Sequence, residues 1–404
     1  MEELYYATCK RDKEIQNAGY NLETKWECKF KQEREDDKEL AEICLHLQET
    51  LLPRLHPRDS FFGGLTDLAC LHKKLSPEEI KAGHKILYAD FNSLYPFINK
   101  YGEYPVSHPE IIHKPAWKEG DPIPWKGLIQ CRAVPPKNIL HPVLPVKSKA
   151  RFGAADKLST PKCRTCCLEK DNSKACNHTE AERALVGTWT HFELELAKEV
   201  GYKITDISEV HHFGKWSREV FTGYVNKFLK AKQECSGFPT GVLTDEDKDT
   251  YIQDFYKVEG IMLDKDKIKK NPGFRTVAKL CLNSLWGKFG QRDNLPRRKW
   301  ISEPSDWYSL RDDPRYIISN VNEVDTSLIV EYRMKDDHIK TSSNTCIYYA
   351  IMTTAQARVK LLRVLQPLQD RALYWDTDSI FYIQRPGDEP LSVGNNLGQL
   401  KDEF

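Results

Sequence analysis

The sequence predicts an α+β fold, and three patterns support this prediction. Residues 371–382 consist of two apolar and aromatic runs around an acidic turn, which is typical of a β-hairpin. A short apolar run at residues 86–89 is typical of a buried strand, and a turn and a helix are expected to follow it. Helical patterns occupy residues 217–235, 267–290 and 345–364. A chain of 404 residues is long enough for two or three domains with their own cores.

The turn of the predicted hairpin carries two carboxylates, Asp376 and Asp378, which can face one small volume of solvent. Two such groups are costly to hold close together unless a cation lies between them, and Mg²⁺ is the usual cation for hard oxygen ligands. An ordinary surface turn with two aspartates is the alternative. The hairpin alone does not decide between them.

A third carboxylate, Asp90, stands at the end of the apolar strand. Two-metal phosphoryl transfer uses carboxylates to hold ions about 3.5–4 Å apart, which activate the attacking hydroxyl and stabilise the leaving pyrophosphate. We therefore expect Asp90 to lie beside the pair of aspartates in the hairpin.

A row of polar side chains follows one face of the predicted helix 267–290. The Asn-Pro-Gly sequence at 271–273 is a typical helix start, and Gly287 is a typical helix end. Arg275, Lys279 and Asn283 recur every four residues, so they share one face. A fixed row of donors suits a triphosphate, whereas a solvated basic helix face is the alternative.

These segments resemble the three ordered motifs of the B-family DNA polymerases. In this sequence the three motifs read Asp90-x-x-Ser93-Leu94-Tyr95-Pro96, Lys279-x-x-x-Asn283-Ser284-x-Trp286-Gly287 and Tyr374-x-Asp376-Thr377-Asp378-Ser379. Two shorter segments are similar to the family's DNA-contacting T-x-x-G/A-R motif and to its template-tracking Y-x-G-G loop. They read Thr354-x-x-Ala357-Arg358 and Phe61-Phe62-Gly63-Gly64.

The wide gap between the first and second motifs resembles the protein-primed branch of this family. That branch includes polymerases of small phages, adenoviruses, linear plasmids and Maverick/Polinton transposons. Trp286, in place of the usual tyrosine, and a cysteine-rich insert favour the transposon group.

The resemblance implies a right-hand polymerase core, with a palm of antiparallel sheet backed by helices, helical fingers and loop-rich insertions. Residues 104–145 are rich in proline and are expected to form loops and edge strands, and residues 236–260 to form a polar link between two finger helices. Few residues precede the palm, and no K-x-Y thumb motif follows it, so the family's exonuclease and thumb domains are expected to be missing. The expected segments are an N-terminal remnant (1–57), a first palm segment with the first acidic motif (58–110), an insertion with the Cys/His cluster (111–213), fingers (214–292), a second insertion (293–344) and a second palm segment with the hairpin (345–404).

The resemblance also assigns roles to individual residues. Asp90, Asp376 and Asp378 are the expected catalytic residues, with Asp90 and Asp378 bridging two Mg²⁺ (or Mn²⁺) and Asp376 a weaker partner. Tyr95 is expected to pack under the deoxyribose and Asn283 to lie near the new base pair. The nucleotide-binding residues are expected to be Phe91, Ser93, Leu94, Tyr95, Arg275, Lys279 and Asn283. The DNA-binding residues are expected to be Phe61, Gly63, Gly64, Lys288, Thr354 and Arg358.

The composition neither predicts nor excludes this function. Lys and Arg total 60 against 59 for Asp and Glu, so DNA would have to bind to local basic patches such as 265–279 and 288–299. The sequence has no apolar stretch as long as a membrane span and no signal peptide at its start, so no membrane partner is expected. Twelve irregularly spaced cysteines favour reduced thiols and an intracellular protein, which would be nuclear if the host is eukaryotic.

A cluster of cysteines and one histidine predicts a separate metal site. Cys163 and Cys166 form a C-x-x-C pair, and Cys176 and His178 form a C-x-H pair. Paired spacings of this kind suit a tetrahedral structural Zn²⁺, with Cys167 as a spare. Free thiols in a loop and a decayed cluster are the alternatives.

The expected reaction is template-directed attack of a primer 3′-hydroxyl, or of a protein hydroxyl at initiation, on the α-phosphate of a deoxynucleoside triphosphate. The expected partners are a DNA primer-template, dNTPs and a terminal protein primer, in the replication of a mobile element or virus. A catalytically silent, DNA-binding remnant is one alternative. An RNA-directed polymerase is another, although that class typically has adjacent aspartates in its hairpin.

Overall fold

The computed structural model describes residues 2–50, 54–149, 156–169, 176–339 and 345–404, and the chain divides into two compact units. The first unit, Met1–Arg54, contains the helices α1 (Glu2–Asn17), α2 (Glu27–Asp36) and α3 (Lys38–Thr50). Asp37 separates α2 from α3, and its Oδ1 accepts the backbone N–H groups of Glu39 and Leu40 at 2.9 and 3.1 Å. This is the side-chain capping that begins a new helix.

The second unit, Leu55–Phe404, holds every segment in which the sequence predicts chemistry. Its helices are α4 (Pro77–Lys81), α5 (Leu94–Tyr101), α6 (Arg164–Glu169), α7 (Glu180–Arg183), α8 (His191–Glu199), α9 (Thr222–Glu234), α10 (Asp245–Glu259), α11 (Pro272–Phe289), α12 (Pro304–Arg311) and α13 (Ile347–Leu368). In the described residues none of the helices is long and apolar enough to cross a membrane.

The strands of this unit form several separate sheets. They are β1 (Thr66–Leu68), β2 (Lys85–Phe91), β3 (Tyr104–Pro105), β4 (Glu110–His113), β5 (Gly127–Val134), β6 (Val146–Lys149), β7 (Asp156–Ser159), β8 (Leu185–Thr190), β9 (Lys203–His212), β10 (Trp216–Ser217), β11 (Arg297–Ile301), β12 (Tyr316–Val324), β13 (Ser327–Met334), β14 (Ala372–Asp376), β15 (Ser379–Gln384) and β16 (Leu400–Asp402).

The central sheet has five antiparallel strands in the order β1-β14-β15-β2-β16. Because side chains alternate along a strand, the sheet has two different faces. Ala89 and Phe91 are buried in the main core, which also contains Leu361 and Leu365 of α13. Asp90, between them, points to the opposite face. The expected antiparallel sheet backed by helices is confirmed, including the adjacency of the strand with Asp90 and the acidic hairpin.

The first insertion contains more regular structure than its proline content predicts. Strands β4, β9, β5 and β8 form a four-stranded antiparallel sheet, and β5 is buried at seven of its eight residues. The prediction of loops and edge strands in this region is therefore wrong for β5, whereas β4 does lie at an edge of the sheet. Pro124 and Pro135 flank β5 without interrupting it, so they end the strand and leave its ladder of hydrogen bonds intact.

The predicted finger helices are present as α9 and α11, and their apolar sides meet in a core with Val225, Leu229 and Leu282. The segment between them is not only a polar link, because it contains the 15-residue helix α10. A capping box at Thr244 begins this helix, and Gly260, with φ of +68°, ends it. The second insertion is the sheet β11-β13-β12 with α12 packed on it.

Candidate active site

The acidic hairpin turn is held in place from both sides. Thr377 has a positive φ of +57°, an uncommon conformation for a β-branched residue, and its N–H donates to the Leu65 carbonyl at 2.8 Å. The Asp378 carbonyl accepts the N–H of Phe91 at 2.7 Å. The turn therefore has a fixed position relative to both β2 and the segment that precedes β1.

Asp90, on β2, lies next to Asp378, in the turn that precedes β15. Ser379, which follows Asp378, pairs directly with Asp90 across β15 and β2. Burial raises the pKa of Asp90 to about 6, and the charges of Asp378 and Glu403 add to this effect. Burial and the nearby Asp376 raise the pKa of Asp378 as well. Half-buried carboxylates that disfavour one another's charge make a site that a cation would stabilise.

Asp376 is in a different environment from the other two carboxylates. Its Oδ1 accepts hydrogen bonds from the hydroxyls of Thr66 at 2.5 Å and Thr377 at 3.1 Å, and its Oδ2 from Tyr374 at 3.4 Å. These donors already compensate part of its charge. In the part of the chain that the structure describes, the three carboxylates do not gather within 4.8 Å of one another as the Cys/His ligand atoms do.

Lys279, the middle residue of the predicted row of donors on α11, faces this acidic site. Arg275, Lys279 and Asn283 are all exposed on the helix. The positive charge of Lys279 acts on both Asp90 and Asp378, where it partly offsets the rise in their pKa values. The helix continues to Phe289, two residues beyond the predicted end, with Gly287 inside its last turn.

A further cation, Lys232 of α9, is not predicted from the sequence. Its Nζ donates to the Ser93 hydroxyl at 3.3 Å. Burial lowers the pKa of Lys232, and the neighbouring charges of Arg275 and Lys279 lower it further. Lys232 is one of several lysines along α9, and no spacing in the sequence distinguishes it. Only the packing of α9 on α11 brings it into the row of cations.

The start of α5 lies beside the carboxylates of Asp90 and Asp378. Ser93, with φ of +53°, turns the chain from β2 into α5, whose first N–H groups have no partner within the helix. The side chains of Phe91 and Leu94 are buried, so only their backbone groups could reach a ligand. The ring of Tyr95 stacks on Trp286 of α11 at 4.8 Å, and burial raises the pKa of Tyr95 to about 12.

The Phe61–Gly64 loop packs directly against the acidic hairpin. A Cβ added to Gly64 would lie 2.4 Å from the Thr377 hydroxyl, so this close approach requires glycine. A Cβ added to Gly63 would have nothing within 4 Å. Phe61 contacts Trp286 edge-on at 6.3 Å. The loop thus touches both the hairpin and the helix that carries the donors.

Thr354 and Arg358 of α13, the predicted DNA contacts of this helix, have side chains that are turned into the protein. Both side chains are buried, and the Thr354 hydroxyl donates to backbone carbonyls of its own helix. The Arg358 guanidinium donates to the carbonyls of Phe62 at 2.9 Å and Gly63 at 2.7 Å. It also donates twice to Glu193 Oε1, at 3.1 and 2.6 Å. Arg358 therefore holds the Phe61–Gly64 loop in place.

The exposed face of the central sheet continues from the acids as an aromatic surface that the sequence motifs do not indicate. Tyr88 and Phe381, paired across β2 and β15, stack at 4.2 Å with an interplanar angle of 15°. Phe404 contacts both rings edge-on. Lys288, the last predicted DNA contact, is exposed near the end of α11 and donates to Gln291 at 2.6 Å.

The Cys/His cluster also comes together, at a separate place in the first insertion. The ligand atoms of Cys163, Cys166, Cys176 and His178 all lie within 4.8 Å of one another. Cys167 is not part of this group, and its sulfur lies 3.9 Å from the Ser159 hydroxyl. All twelve cysteines are free thiols.

Comparison with known proteins gives a family for the chain. The sequence model of the family described as DNA polymerase type B, organellar and viral, matches residues 55–238 and 247–369. No match was found among curated proteins. Among solved structures, the orthorhombic crystal form of Phi29 DNA polymerase is 18% identical with a TM-score of 0.47, over 86% of this chain and 46% of that chain.

The ternary complex of Phi29 DNA polymerase with primer-template DNA and incoming nucleotide substrates is 17% identical with a TM-score of 0.48, over 87% of this chain and 48% of that chain. The chain thus spans about half the length of the solved structures it matches. The family match covers well over half of the chain, so this protein belongs to the organellar and viral type B DNA polymerases.

Proposed function

We propose that this chain is the palm-and-fingers core of a DNA polymerase, which adds deoxynucleotides to a primer 3′-hydroxyl on a DNA template. One observation carries the proposal. Asp90, on β2, and Asp378, in the hairpin turn beside it, face the exposed cation Lys279 of α11. A site with opposed acidic and basic walls can hold a metal-bound triphosphate, whereas a surface that only binds DNA needs no carboxylates.

The donor set on the acidic wall fits Mg²⁺ or Mn²⁺. Asp90 and Asp378 offer half-buried carboxylate oxygens whose pKa values are raised by burial and by neighbouring carboxylates, which is the environment that a divalent cation relieves. Asp376 and the Phe91 carbonyl are the weaker ligands. Two bound ions would supply activation of the attacking hydroxyl and neutralisation of the leaving pyrophosphate.

The opposite wall would bind the triphosphate. Arg275, Lys279 and Lys232 bring three positive charges together, as the lowered pKa of Lys232 indicates. The backbone N–H groups of Leu94 and Tyr95 lie in the first turn of α5, and a helix start with free N–H groups attracts anions. Phosphoryl transfer depends mainly on such positioning and charge neutralisation, so these groups need not change protonation during the reaction.

The sugar and base of the nucleotide would lie against the rings between the two walls. Tyr95 is braced by its stack on Trp286, so it forms a rigid surface that would exclude a 2′-hydroxyl. Asn283 is exposed one turn after Lys279 on the same face of α11. It would therefore lie beyond the triphosphate, near the new base pair.

The primer-template would lie along the exposed face of the central sheet. Phe61, Gly63 and Gly64 form a loop beside the hairpin turn, where they would follow the template. Lys288 would contact a phosphate. The stacked rings of Tyr88 and Phe381 offer an apolar surface to the sugars of the primer end. Arg358 would act on this DNA only through the carbonyls of Phe62 and Gly63 that it holds.

We place the chain in the protein-primed branch, on the basis of the gap between its first two motifs. The first primer would then be a hydroxyl of a terminal protein, and the setting would be an intracellular virus or mobile element, nuclear in a eukaryotic host. Extension of a terminal protein encoded with this chain would support the assignment. Initiation on nucleic acid primers alone would contradict it.

Primer extension with Mg²⁺ or Mn²⁺ tests the proposed reaction. We expect weak, distributive incorporation that disappears in Asp378→Asn, because the amide keeps the shape of the carboxylate and loses its charge. Asp402→Asn is the matched control. Asp402 lies on the neighbouring strand β16 opposite Ala89, so its side chain points to the other face. Incorporation that survives Asp378→Asn would refute the catalytic assignment. DNA binding with no incorporation in the unmodified chain would favour the silent remnant.

A further inference from the structure

Three cysteines and one histidine converge on one point in the first insertion, away from the acidic site. His178 Nδ1 lies 3.5 Å from the sulfur of Cys163, 3.3 Å from that of Cys166 and 3.5 Å from that of Cys176. The donors come from two segments of the chain, since Cys163 and Cys166 flank the start of α6, and Cys176 and His178 precede α7.

These separations are those of a tetrahedral metal site. Zn–S bonds of about 2.3 Å and Zn–N bonds of about 2.0–2.1 Å at the tetrahedral angle place sulfur and nitrogen about 3.5 Å apart. All three measured distances from His178 to the sulfurs lie near this value. A histidine that only packs near thiols has no reason to be equally distant from three of them.

The surrounding structure holds the two halves of the cluster in place. The Thr165 hydroxyl of α6 donates to the Glu182 carbonyl of α7 at 2.8 Å. Arg183 is buried, and its guanidinium donates to the carbonyls of Pro135 at 2.7 Å and Lys162 at 3.3 Å. The residue next to Cys163 is thus tied to the end of β5. Supporting contacts of this kind orient the ligands in the metal sites of proteins.

We infer that Cys163, Cys166, Cys176 and His178 bind one structural Zn²⁺ that closes this part of the insertion onto the four-stranded sheet. Four protein ligands leave no open position for water or substrate, so the ion would not take part in catalysis. Three soft thiolates and an imidazole favour zinc over the oxygen-seeking Mg²⁺ of the acidic site. Its loss should loosen the insertion and leave the carboxylates Asp90 and Asp378 in place.

Elemental analysis of the purified chain tests this inference, with Co²⁺ exchange as an optical readout of geometry. We expect one zinc per chain and, after exchange, the intense visible bands and sulfur-to-metal charge transfer of a tetrahedral thiolate site. Cys176→Ser should lose both signals. Cys176 is exposed, so this variant should still fold. Cys167→Ser is the matched control in the same segment and should keep both signals.

Protease sensitivity provides a second readout that does not depend on any variant. Chelation of the metal from the unmodified chain should speed cleavage within residues 156–183 without changing cleavage elsewhere. Purified chain without bound zinc, octahedral Co²⁺ spectra, or equal loss of metal in Cys167→Ser and Cys176→Ser would each overturn the inference. A disulfide between Cys163 and Cys166 in protein purified under reducing conditions would overturn it as well.

Discussion

Replacement of Arg358 by methionine tests whether this residue holds the Phe61–Gly64 loop in place or contacts DNA. The Arg358 and Glu193 side chains are 1% and 0% exposed, and they form an ion pair of 2.6 Å. Methionine keeps much of the volume of arginine but removes both bonds to Glu193 and both bonds to the Phe62 and Gly63 carbonyls. Glu193 would keep its hydrogen bonds from Thr190 and would be left as a buried, uncompensated charge.

Loss of one partner from a buried ion pair costs about 3–5 kcal/mol of folding free energy. With an unfolding entropy of about 2 cal/mol/K per residue, a unit of this size should lose about 4–7 °C of melting temperature. Adding Glu193→Gln should restore part of this loss. Glutamine removes the unpaired charge and can still form the capping box with Thr190.

Thermal unfolding of Arg358→Met, Arg358→Met/Glu193→Gln and Arg363→Met measures this effect. Arg363 is the control on the same helix, because its ion pair with Glu199 is about half exposed and should contribute about 1 kcal/mol or less. A melting temperature unchanged in Arg358→Met would refute the reasoning. So would a salt dependence of DNA binding that becomes shallower by about 0.9, since this is the sign of one lost phosphate contact.

Other predictions concern the loop, the sugar site and pH. Gly64→Ala should abolish incorporation because its Cβ would lie 2.4 Å from the Thr377 hydroxyl, whereas Gly63→Ala, with nothing within 4 Å, should retain it; equal activities would contradict the packing. Tyr95→Ala should raise kcat/KM for ribonucleotides relative to deoxynucleotides; an unchanged ratio would exclude Tyr95 from sugar selection. Burial lowers the pKa of His191 to about 4, so acidification should protonate the unfolded chain first. The contribution of His191 to the free energy of unfolding should therefore decrease as the pH falls from about 6.5 towards 4, and the difference in denaturant unfolding between the unmodified chain and His191→Gln measures this contribution.

The acidic wall is predictable from the sequence because its geometry is local. A hairpin pattern fixes Asp376 and Asp378 at one turn, and the alternation of a strand fixes the face on which Asp90 lies. The row on α11 is predictable for the same reason, since a helix repeats its face every three or four residues. These patterns need no knowledge of what lies across the site.

The features that the sequence does not predict depend on contacts between distant segments of the chain. Lys232 joins the cations only because α9 packs on α11, and Arg358 is buried only because Glu193, 165 residues away, pairs with it. Prolines that flank β5 give that region the composition of a loop, although the strand lies inside a sheet. Helix α10 has few buried residues, so its sequence has the polar composition of a linker.

Single-turnover incorporation as a function of dNTP concentration tests most directly whether the carboxylates act in the chemical step and the cations of α9 and α11 in nucleotide binding. Asp90→Asn should lower the saturating rate, because its carboxylate would hold the metal ions that act in the nucleotidyl-transfer step. Lys232→Ala and Lys279→Ala should mainly raise the nucleotide concentration for half-maximal rate, while Lys227→Ala, an exposed lysine elsewhere on α9, should change neither quantity. A saturating rate in Asp90→Asn equal to that of the unmodified chain, or unchanged nucleotide dependence in Lys279→Ala, would contradict the proposed site.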